Sequence, residues 1–517
     1  MAHLGSRRRR ALALPVGLAL TVSLGFLPGT ASAAQTGGPT PVVTDGPKLS
    51  YVVNTYGGAL TATSVKKAID RAGGTVVTSY DKIGVIVATS QNPEFAKTVR
   101  KAGGVFSAGA TRTAPLPSQS TTDIGAPVEL TAEQVEAVTA ATAKASSSAS
   151  AAAAEPDPLE PLQWDLPAIK ADKAHLKTLG SSKVTVGVID TGVDDTHPDL
   201  APNFNRAASV NCVSGKPDTT DGAWRPTAAE SPHGTHVAGE IAAAKNGIGV
   251  TGVAPGVQVA GIKASTPAGY FYAEAVVCSF VWAADHGIDV TNNSYYTDPW
   301  YFNCVTDPDQ KALVDALTRA TRYAESKGTV NIAAAGNENY DLAARTIDDS
   351  SSPNDSTPVD RTIDTSKCFD IPTELPGVVT VSATGAKGLK SSFSNHGLGV
   401  IDLTAPGGDA TRYQTPEPPA TSGLILGPLP GARWGYMAGT SMASPHVAGV
   451  AALLKSTHPH ASAAAIKALL KVQATKVACP ETYDLNGDGV ADAECTGSKY
   501  YNSFYGAGLV DALAAVK

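Results

Sequence analysis

The chain has 517 residues, which is enough for two to four domains of ordinary size. Its composition is that of a globular protein, with 43% hydrophobic and 17% charged residues, and its net charge is −7 with histidine neutral. Because some of the positive charges are the arginines at 7–10, the rest of the chain is more acidic still. This balance argues against a protein that binds the phosphate backbone of nucleic acids.

Residues 1–33 have the pattern of a secretory signal peptide. The basic stretch "MAHLGSRRRR" precedes the apolar "ALALPVGLALTVSLGFL", and "ASA" at 31–33 is a small-residue cleavage signal. No later apolar run is long enough to span a bilayer. We therefore expect a secreted, extracellular protein that works as a monomer and has no membrane partner.

The six cysteines all follow the leader. An even number in an exported chain favours disulfides, although six cysteines allow fifteen pairings and free buried thiols are the alternative. Cys479 with Cys495 is the most local pairing, and Cys278 with Cys304 is also plausible. The remaining two are Cys212 and Cys368.

Residues 34–117 contain a compact folded part at about 48–106. "LSYVVNTY" and "GVIVATS" predict strands, and "TATSVKKAIDRAGG" and "PEFAKTVRKAGG" predict short amphipathic helices that end in Gly-Gly. Residues 118–158 are rich in Ala and Ser and carry almost no large apolar side chains. Such a stretch buries little surface, so we interpret it as a linker, helical in part.

Residues 159–517 alternate apolar β-branched runs with helical stretches. "KVTVGVID", "VQVAGIKA", "IDVTNNS" and "TVNIAAAG" predict strands, and helical patterns such as "HVAGEIAAAK" and "YAEAVVCSFVWAADHG" lie between them. Strands that are buried on both faces and separated by helices predict an α/β domain with a parallel sheet.

Four polar residues fall at the ends of these elements, where α/β sheets form their sites. Asp190 closes a strand, His233 precedes a helix, Asn337 follows a strand and Ser441 begins the last major helix. A serine hydroxyl becomes a nucleophile when a histidine takes its proton, and a buried carboxylate orients that imidazole. A side-chain amide with a backbone N–H can hold the oxyanion formed on a carbonyl. The small residues around Ser441 leave room for a substrate backbone.

The motifs that carry these residues are "VIDTGVDDTHPDL", "HGTHVAGEIAA", "AAAGNEN" and "GTSMASPHVAGVAALL". Together they resemble the four signatures of the subtilase (subtilisin-like) serine peptidases, in the same order. The resemblance implies a doubly wound domain with a mainly parallel seven-stranded sheet. It also implies a triad of Asp190, His233 and Ser441, an oxyanion donor at Asn337, and hydrolysis of peptide bonds in proteins or peptides through an acyl-enzyme.

Residues 294–296 and 335–336 correspond to substrate-binding positions of the family. Relatives commonly carry Ser-Leu-Gly along the primary specificity pocket, where this chain has Ser294, Tyr295 and Tyr296. We expect the two tyrosines to narrow or reshape the pocket. Ala335 and Gly336, just before the oxyanion donor, are expected to contact substrate as well.

Other interpretations of the site are weaker. An α/β-hydrolase would need Gly-x-Ser-x-Gly at the nucleophile and the order Ser, Asp, His. A binding protein derived from a peptidase would have lost a member of the triad, and none is lost. His236 competes for the role of base, but its place in the motif favours a structural helix residue, and we interpret His446 as a packing residue.

The resemblance also gives the upstream segment a role. Residues 34–117 look like the inhibitory prodomain of the family, an intramolecular chaperone that the enzyme removes itself, so the protein is expected to be a zymogen. An unrelated binding domain is the alternative.

No cofactor is expected to be required, although "DLNGDGVAD" at 484–492 has some features of a calcium loop. Asp484, Asn486, Asp488 and Asp492 occupy ligand places, with Gly489 at the turn, but Cys495 replaces the terminal Glu. The stretch Asn486-Gly487 is equally compatible with a simple turn.

Overall fold

The computed structural model describes residues 46–57, 59–114, 126–146, 157–485 and 487–517. The predicted leader at 1–33 lies outside these residues. In the part of the chain that is described, no helix is long and apolar enough to cross a membrane.

The first folded part is a small antiparallel sheet covered by two helices. Its elements are β1 (Leu49–Thr55), α1 (Ala59–Arg71), β2 (Gly74–Tyr80), β3 (Val85–Ser90), α2 (Phe95–Val99) and β4 (Val105–Ala110). The strand order is β2-β3-β1-β4. The sequence predicts β1, β3 and the two helices but misses the other two strands. β2 is only half-buried, and β4 consists largely of Ser, Ala and Gly, so neither has a strong apolar pattern.

The Ala/Ser-rich stretch contributes a strand and a helix, β5 (Val128–Glu129) and α3 (Ala132–Ser146). Val135 and Val138 of α3 pack against an apolar cluster of the main domain that includes Leu159 and Leu426. A few larger apolar side chains in an Ala-rich stretch, together with the pairing of β5 and β18, are therefore enough to attach residues 126–146 to the main domain.

The main domain continues the chain with alternating strands and helices. Its first half contains α4 (Asp165–Ala168), α5 (Ala171–His175), β6 (Thr185–Asp190), β7 (Val210–Asn211), α6 (His233–Ala242), β8 (Gln258–Lys263), α7 (Ala273–Asp285), β9 (Val290–Asn293), β10 (Asn303–Cys304), α8 (Pro308–Ser326) and β11 (Val330–Ala334). Its second half contains β12 (Thr346–Asp349), β13 (Arg361–Asp364), β14 (Cys368–Phe369), β15 (Val379–Thr384), β16 (Leu403–Pro406), β17 (Ile425–Leu429), β18 (Arg433–Met437), α9 (Thr440–Thr457), α10 (Ala463–Gln473), β19 (Gly497–Ser498), β20 (Tyr501–Asn502) and α11 (Ala512–Ala515).

Seven strands form the central sheet in the order β16-β15-β11-β9-β6-β8-β7. Every pairing in it is parallel. Val186 and Val188 of β6 face the layer that contains α6 and α9, whereas Ile189 faces α7 and α8. Both faces of the sheet are therefore buried, which explains the continuous apolar strands in the sequence. The predicted fold class, a seven-stranded α/β domain after a small α+β domain, is confirmed.

Three disulfides join Cys212 to Cys278, Cys304 to Cys368, and Cys479 to Cys495. The local pairing of Cys479 with Cys495 is present. The suggested pairing of Cys278 with Cys304 is wrong, because β10 lies antiparallel to β14 and puts Cys304 directly opposite Cys368. Cys278 lies instead on α7, beside the residue that follows β7.

Candidate active site

The parallel register of the sheet brings the predicted residues to one edge. Ile189 of β6 is aligned with Asn293 of β9, which is aligned with Ala333 of β11. The residues that follow these positions, Asp190 and Ser294 among them, therefore emerge side by side at the carboxyl ends of the strands. This is the edge at which open α/β sheets form their sites.

Asp190 and His233 form a buried pair at this edge. The imidazole Nδ1 lies 2.8 Å from Asp190 Oδ1, and both side chains are almost inaccessible to solvent. The N–H of Thr191 donates to the same carboxylate oxygen at 2.7 Å. Because an ionised carboxylate can only accept, Nδ1 carries the proton and Nε2 of the neutral ring is the basic nitrogen. The pair is thus arranged as a base with a fixed tautomer.

The close approach of α6 to β6 depends on a glycine. A Cβ at Gly234 would lie 3.0 Å from Asp190 Oδ1 and would also clash with the carbonyl oxygen of Gly192. The Gly after His233 in "HGTHVAG" therefore allows the start of the helix to rest on the carboxylate.

Ser441 lies in the first turn of α9, where the partial positive charge of the helix N-terminus favours a developing anion. Its hydroxyl donates to the carbonyl oxygen of Ser294 at 3.3 Å, and the Ser294 hydroxyl donates to the carbonyl oxygen of Ser441 at 2.8 Å. These reciprocal bonds hold the start of the helix against the chain that leaves β9.

Asn337 is oriented by Thr440, the residue before Ser441. The Thr440 N–H and hydroxyl each donate to Asn337 Oδ1 at 2.9 Å, so the amide nitrogen must point the other way. A Cβ built on Gly439 would lie 3.7 Å from Asn337 Nδ2 and 3.5 Å from Ser441 Cβ. The amide N–H groups and Ser441 therefore border the same small space. Sequence reasoning missed Thr440, although its position in "GTS" was the available signal.

Of the predicted substrate-binding residues, the two tyrosines differ in burial. Tyr295 is 5% exposed and stacks on Phe271, with ring centroids 4.3 Å apart and planes 5° apart. Tyr296 is partly exposed and accepts a bond from Asn354 Nδ2 at 2.8 Å. Of the two tyrosines, Tyr296 is the one whose ring reaches the surface beside the site.

Gly336 occupies a position that only glycine fits. Its φ is +93°, a conformation that L side chains rarely adopt. A Cβ there would also lie 2.5 Å from Asn395 Nδ2 and clash with the Tyr301 hydroxyl. Together with the buried Ala335, it carries the chain from β11 to Asn337.

A buried polar cluster lies behind the pair of Asp190 and His233. His236 Nδ1 is 2.7 Å from Glu240 Oε1, and its Nε2 is 3.2 Å from two carbonyl oxygens, those of Ile425 and Gly435. Since carbonyls only accept, Nε2 carries the ring proton and Nδ1 accepts from a protonated Glu240. Burial supports this assignment, because it raises the pKa of Glu240 well above its usual range and lowers the pKa of His236 to about 3.

His446 belongs to the same cluster. Its Nδ1 donates to the Met442 carbonyl at 2.7 Å, and its Nε2 lies 3.0 Å from Asp165 Oδ2. The cluster therefore joins α6, α9 and the first turn of α4. Glu240 and Asp165 were not singled out from the sequence, because an isolated carboxylate on a helix has no signal of burial.

The calcium candidates lie in a C-terminal loop. Asp484 accepts from the N–H groups of Gly487 and Gly489 at 2.6 and 2.9 Å, and Asp492 accepts from the Leu485 N–H at 2.6 Å. Asp488 accepts from the Val490 N–H at 2.8 Å. Asn486 lies outside the described residues. Among those that are described, no three His, Cys, Asp or Glu side chains are grouped as metal ligands. Calcium binding stays a prediction.

A buried carboxylate–imidazole pair and a serine at a helix start, both in a parallel α/β domain, are the groups that a serine hydrolase uses. The sequence profile of the Subtilase family matches residues 181–508. Subtilisin Savinase from Lederbergia lenta is 31% identical over 331 residues, which is 64% of this chain and 97% of that protein. Subtilisin DY from Bacillus licheniformis is 30% identical over 354 residues, 68% of this chain and 98% of that protein.

Solved structures of other proteins share the fold. The epidermin leader peptide processing serine protease from Staphylococcus aureus is similar over 91% of this chain and 99% of its own, with a TM-score of 0.61 and 21% identity. Fervidolysin from Fervidobacterium pennivorans is similar over 91% of this chain and 61% of its own, with a TM-score of 0.58 and 24% identity. The chain belongs to the subtilase family, and it is a subtilisin-like serine peptidase.

Proposed function

We propose that the protein is a secreted serine endopeptidase, made as a zymogen, in which Asp190, His233 and Ser441 form the triad. The observation that carries this proposal is the buried 2.8 Å contact between His233 Nδ1 and Asp190 Oδ1. It leaves Nε2 as the base for a hydroxyl that otherwise donates to the Ser294 carbonyl.

The reaction follows from these positions. Ser441 Oγ attacks the scissile carbonyl while its proton passes to His233 Nε2, and Asp190 stabilises the imidazolium. Asn337 Nδ2 and the Ser441 N–H donate to the oxyanion. His233 then gives its proton to the leaving amine, which departs and leaves an acyl-enzyme. Water attacks that ester with the same base, and the carboxylic acid product leaves. No step of this scheme uses a metal or cofactor.

A serine-directed phosphonylating reagent tests the assignment. We expect one phosphonyl group per molecule, on Ser441, with loss of activity on a peptide nitroanilide. His233→Ala should slow both the labelling and the hydrolysis, since the hydroxyl then lacks its base. Labelling at another serine, or unchanged hydrolysis by His233→Ala, would contradict the triad.

Residues 34–117 act in this proposal as the prodomain and inhibitor, and the processing site lies between Pro117 and Leu162. The proposal is supported by contacts between the small sheet and helix α8. Asn54 Nδ2 donates to the Ala312 carbonyl at 2.9 Å, Ser107 donates to Asp315 at 2.7 Å, and Arg319 donates to the Thr55 carbonyl at 2.8 Å.

A glycine of the small sheet permits this close docking. A Cβ at Gly109 of β4 would lie 2.6 Å from the Cα atom of Asp309 on α8. Gly109→Val should therefore weaken the inhibition of the processed enzyme by its own prodomain. Gly103, where an added Cβ meets no atom within 4 Å, offers Gly103→Ala as the matched control. Equal inhibition in the two variants would contradict docking through β4.

Export is supported by the leader pattern and by the three disulfides, which form and persist in oxidising compartments. Mass spectrometry of the non-reduced protein from a culture supernatant tests this part. It should find a mature N-terminus beyond Pro117 and all three bridges. A protein that stays inside the cell with free thiols would contradict it.

A further inference from the structure

Residues 126–146, called here the docking segment, lie against the hairpin that leads into the nucleophile helix. In β5, Glu129 is aligned with Gly435 of β18 and Val128 is aligned with Tyr436 in antiparallel register. The N–H of Leu130 donates to the carbonyl oxygen of Trp434 at 2.9 Å. The docking segment thus extends the β17–β18 sheet by one strand, as an extended peptide does when it binds a sheet edge.

The N-to-C direction of β5 is the direction that the leaving-group half of a substrate would have. β18 runs towards Ser441, which follows its last residue, Met437, by four positions. Because β5 is antiparallel, its chain starts near Ser441 and runs away from it. The residues after a scissile bond also run away from the nucleophile in the N-to-C direction. The docking segment therefore has the polarity of the leaving-group half of a substrate.

A groove at this position is lined by the start of the docking segment and by the chain that leads to Ser441. It measures about 490 Å³, and Ala126 and Val128 line it together with Phe393, Met437 and Ala438. Ala438 is only three residues before Ser441. The start of the docking segment accordingly forms one wall of this groove, along the chain that leads to Ser441, where the residues that follow a scissile bond would lie.

The end of the small N-terminal domain contacts the segment that bonds to Tyr296, a residue expected at the primary specificity pocket. The N–H of Thr113 donates to Asp355 at 2.8 Å. The neighbouring Asn354 donates to Tyr296. The expected pocket at Tyr296 would hold the residue before the scissile bond, which belongs to the acyl half of a substrate. In a substrate, the acyl half comes before the leaving-group half along the chain. In this protein, Thr113, near the expected specificity pocket, likewise comes before Val128, which lies in the docking segment.

The docking segment is anchored by more than its strand. Val135 and Val138 on one face of α3 pack against the main domain, and the Thr142 hydroxyl donates to the Pro158 carbonyl at 3.0 Å. Arg433 forms an ion pair with Glu129 at 2.5 Å. A segment tethered in this way competes at a high effective concentration, of the order of millimolar for a short linker.

We propose that the docking segment fills the leaving-group site of the peptidase and competes there with long substrates. The proposal rests on the proposed function, because it takes Ser441 as the nucleophile. A peptide nitroanilide has no residues after its scissile bond and avoids the competition. A peptide with four or more residues after the bond must displace β5 from β18.

The test compares two variants of the processed enzyme. Val135→Asp with Val138→Asp places charges on the packed face of α3 and should release the docking segment. Ala137→Asp with Ala140→Asp places the same charges on exposed positions of the same helix and is the matched control. Both are assayed with a nitroanilide and with an extended fluorogenic peptide, and active sites are counted by phosphonylation.

We expect release to raise kcat/KM for the extended peptide by about tenfold, which is the gain if the segment is docked nine-tenths of the time. The nitroanilide rate should stay within about twofold, and the control should behave as the unmodified enzyme. An unchanged extended-peptide rate, or equal changes with both substrates, overturns the proposal. A processed enzyme whose N-terminus lies beyond Ser146 also overturns it.

The proposed function fails in a different way. If the unmodified enzyme neither cleaves the nitroanilide nor takes up the phosphonyl group, then Ser441 is not the nucleophile. If it does both and the release variant has no effect on the extended peptide, only the role of the docking segment is wrong.

Discussion

Replacing Asn337 separates an oxyanion donor from a turn residue. Its Oδ1 is held by two bonds from Thr440, and its Nδ2 faces the space beside Ser441. A donor that is already oriented needs no reorganisation as the carbonyl becomes tetrahedral, so it stabilises the transition state more than the bound substrate.

The expected size follows from this arrangement. Asn337→Ala should lower kcat by roughly 10²–10³, or about 2.7–4 kcal/mol, the range for donors of this kind. KM should change little, because the bond strengthens only in the transition state. The same replacement also leaves the Thr440 N–H and hydroxyl without their acceptor, which costs about 1–3 kcal/mol of stability if water does not replace it.

Asn337→Asp is the control that distinguishes the loss of transition-state stabilisation from the loss of folding stability. A carboxylate accepts the same two bonds from Thr440 but has no N–H, and its charge opposes the oxyanion. Its thermal stability should therefore remain close to that of the unmodified enzyme, while kcat falls at least as far as in Asn337→Ala. Thr440→Val, which removes one of the two orienting bonds, should cost kcat about fivefold, and Thr440→Ser should be nearly neutral.

The assay is kcat per phosphonylated site on a nitroanilide, so that unfolded enzyme is not counted. A value within about threefold of the unmodified enzyme for both Asn337 variants would refute the oxyanion role, because even one hydrogen bond of about 1 kcal/mol corresponds to more than that. Loss of stability in Asn337→Ala with normal kcat would identify a turn residue.

Ser441→Ala should accumulate as an unprocessed precursor on a denaturing gel, and normal processing of the purified variant without added protease would contradict self-cleavage. Tyr296→Gly should broaden the cleavage of a peptide library. Tyr295→Leu should leave the cleavage profile unchanged, and thermal unfolding should show the loss of a stacking interaction worth about 0.5–1.5 kcal/mol. A profile changed by Tyr295→Leu and not by Tyr296→Gly would mean that the buried ring shapes the pocket. In the folded protein, the Glu240 carboxyl and the His236 ring together hold one titratable proton. In the unfolded chain they hold two below pH 4.5, one between pH 4.5 and 6.5, and none above pH 6.5. The stability that this pair contributes therefore falls as the pH moves below or above this window. The amide of Glu240→Gln still donates to His236 but carries no titratable proton. This variant should therefore abolish the decrease in the free energy of unfolding above pH 6.5, which is about 1.4 kcal/mol per pH unit and is measured by chemical denaturation. An unchanged decrease would refute the assignment of a protonated Glu240 carboxyl.

The sequence by itself determined the class of fold and the candidate residues, because both depend on local patterns. Apolar β-branched runs between helices can only be strands buried on both faces, and their ends carry Asp190, Asn337 and the chain that starts at Ser294. Parallel pairing then requires those ends to meet at one edge. The order of the motifs was sufficient for the family, which the comparisons confirm.

The tertiary structure decided which neighbours these residues have. Cys278 and Cys304 are close along the chain, yet the pairing of β10 with β14 gives Cys304 another partner. The sequence does not distinguish the two adjacent tyrosines, Tyr295 and Tyr296. Successive side chains of an extended chain point to opposite sides, so Tyr295 is buried against Phe271 while Tyr296 is partly exposed.

The Ala/Ser-rich stretch gives the clearest case of what composition does not reveal. Its few apolar side chains predict little burial, and only the edge of β18 and the apolar cluster beneath α3 give them partners. A strand edge offers unpaired N–H and C=O groups to any extended chain, whatever its side chains. The contacts that residues 126–146 make with the main domain were therefore decided by the surface they meet, not by their own sequence.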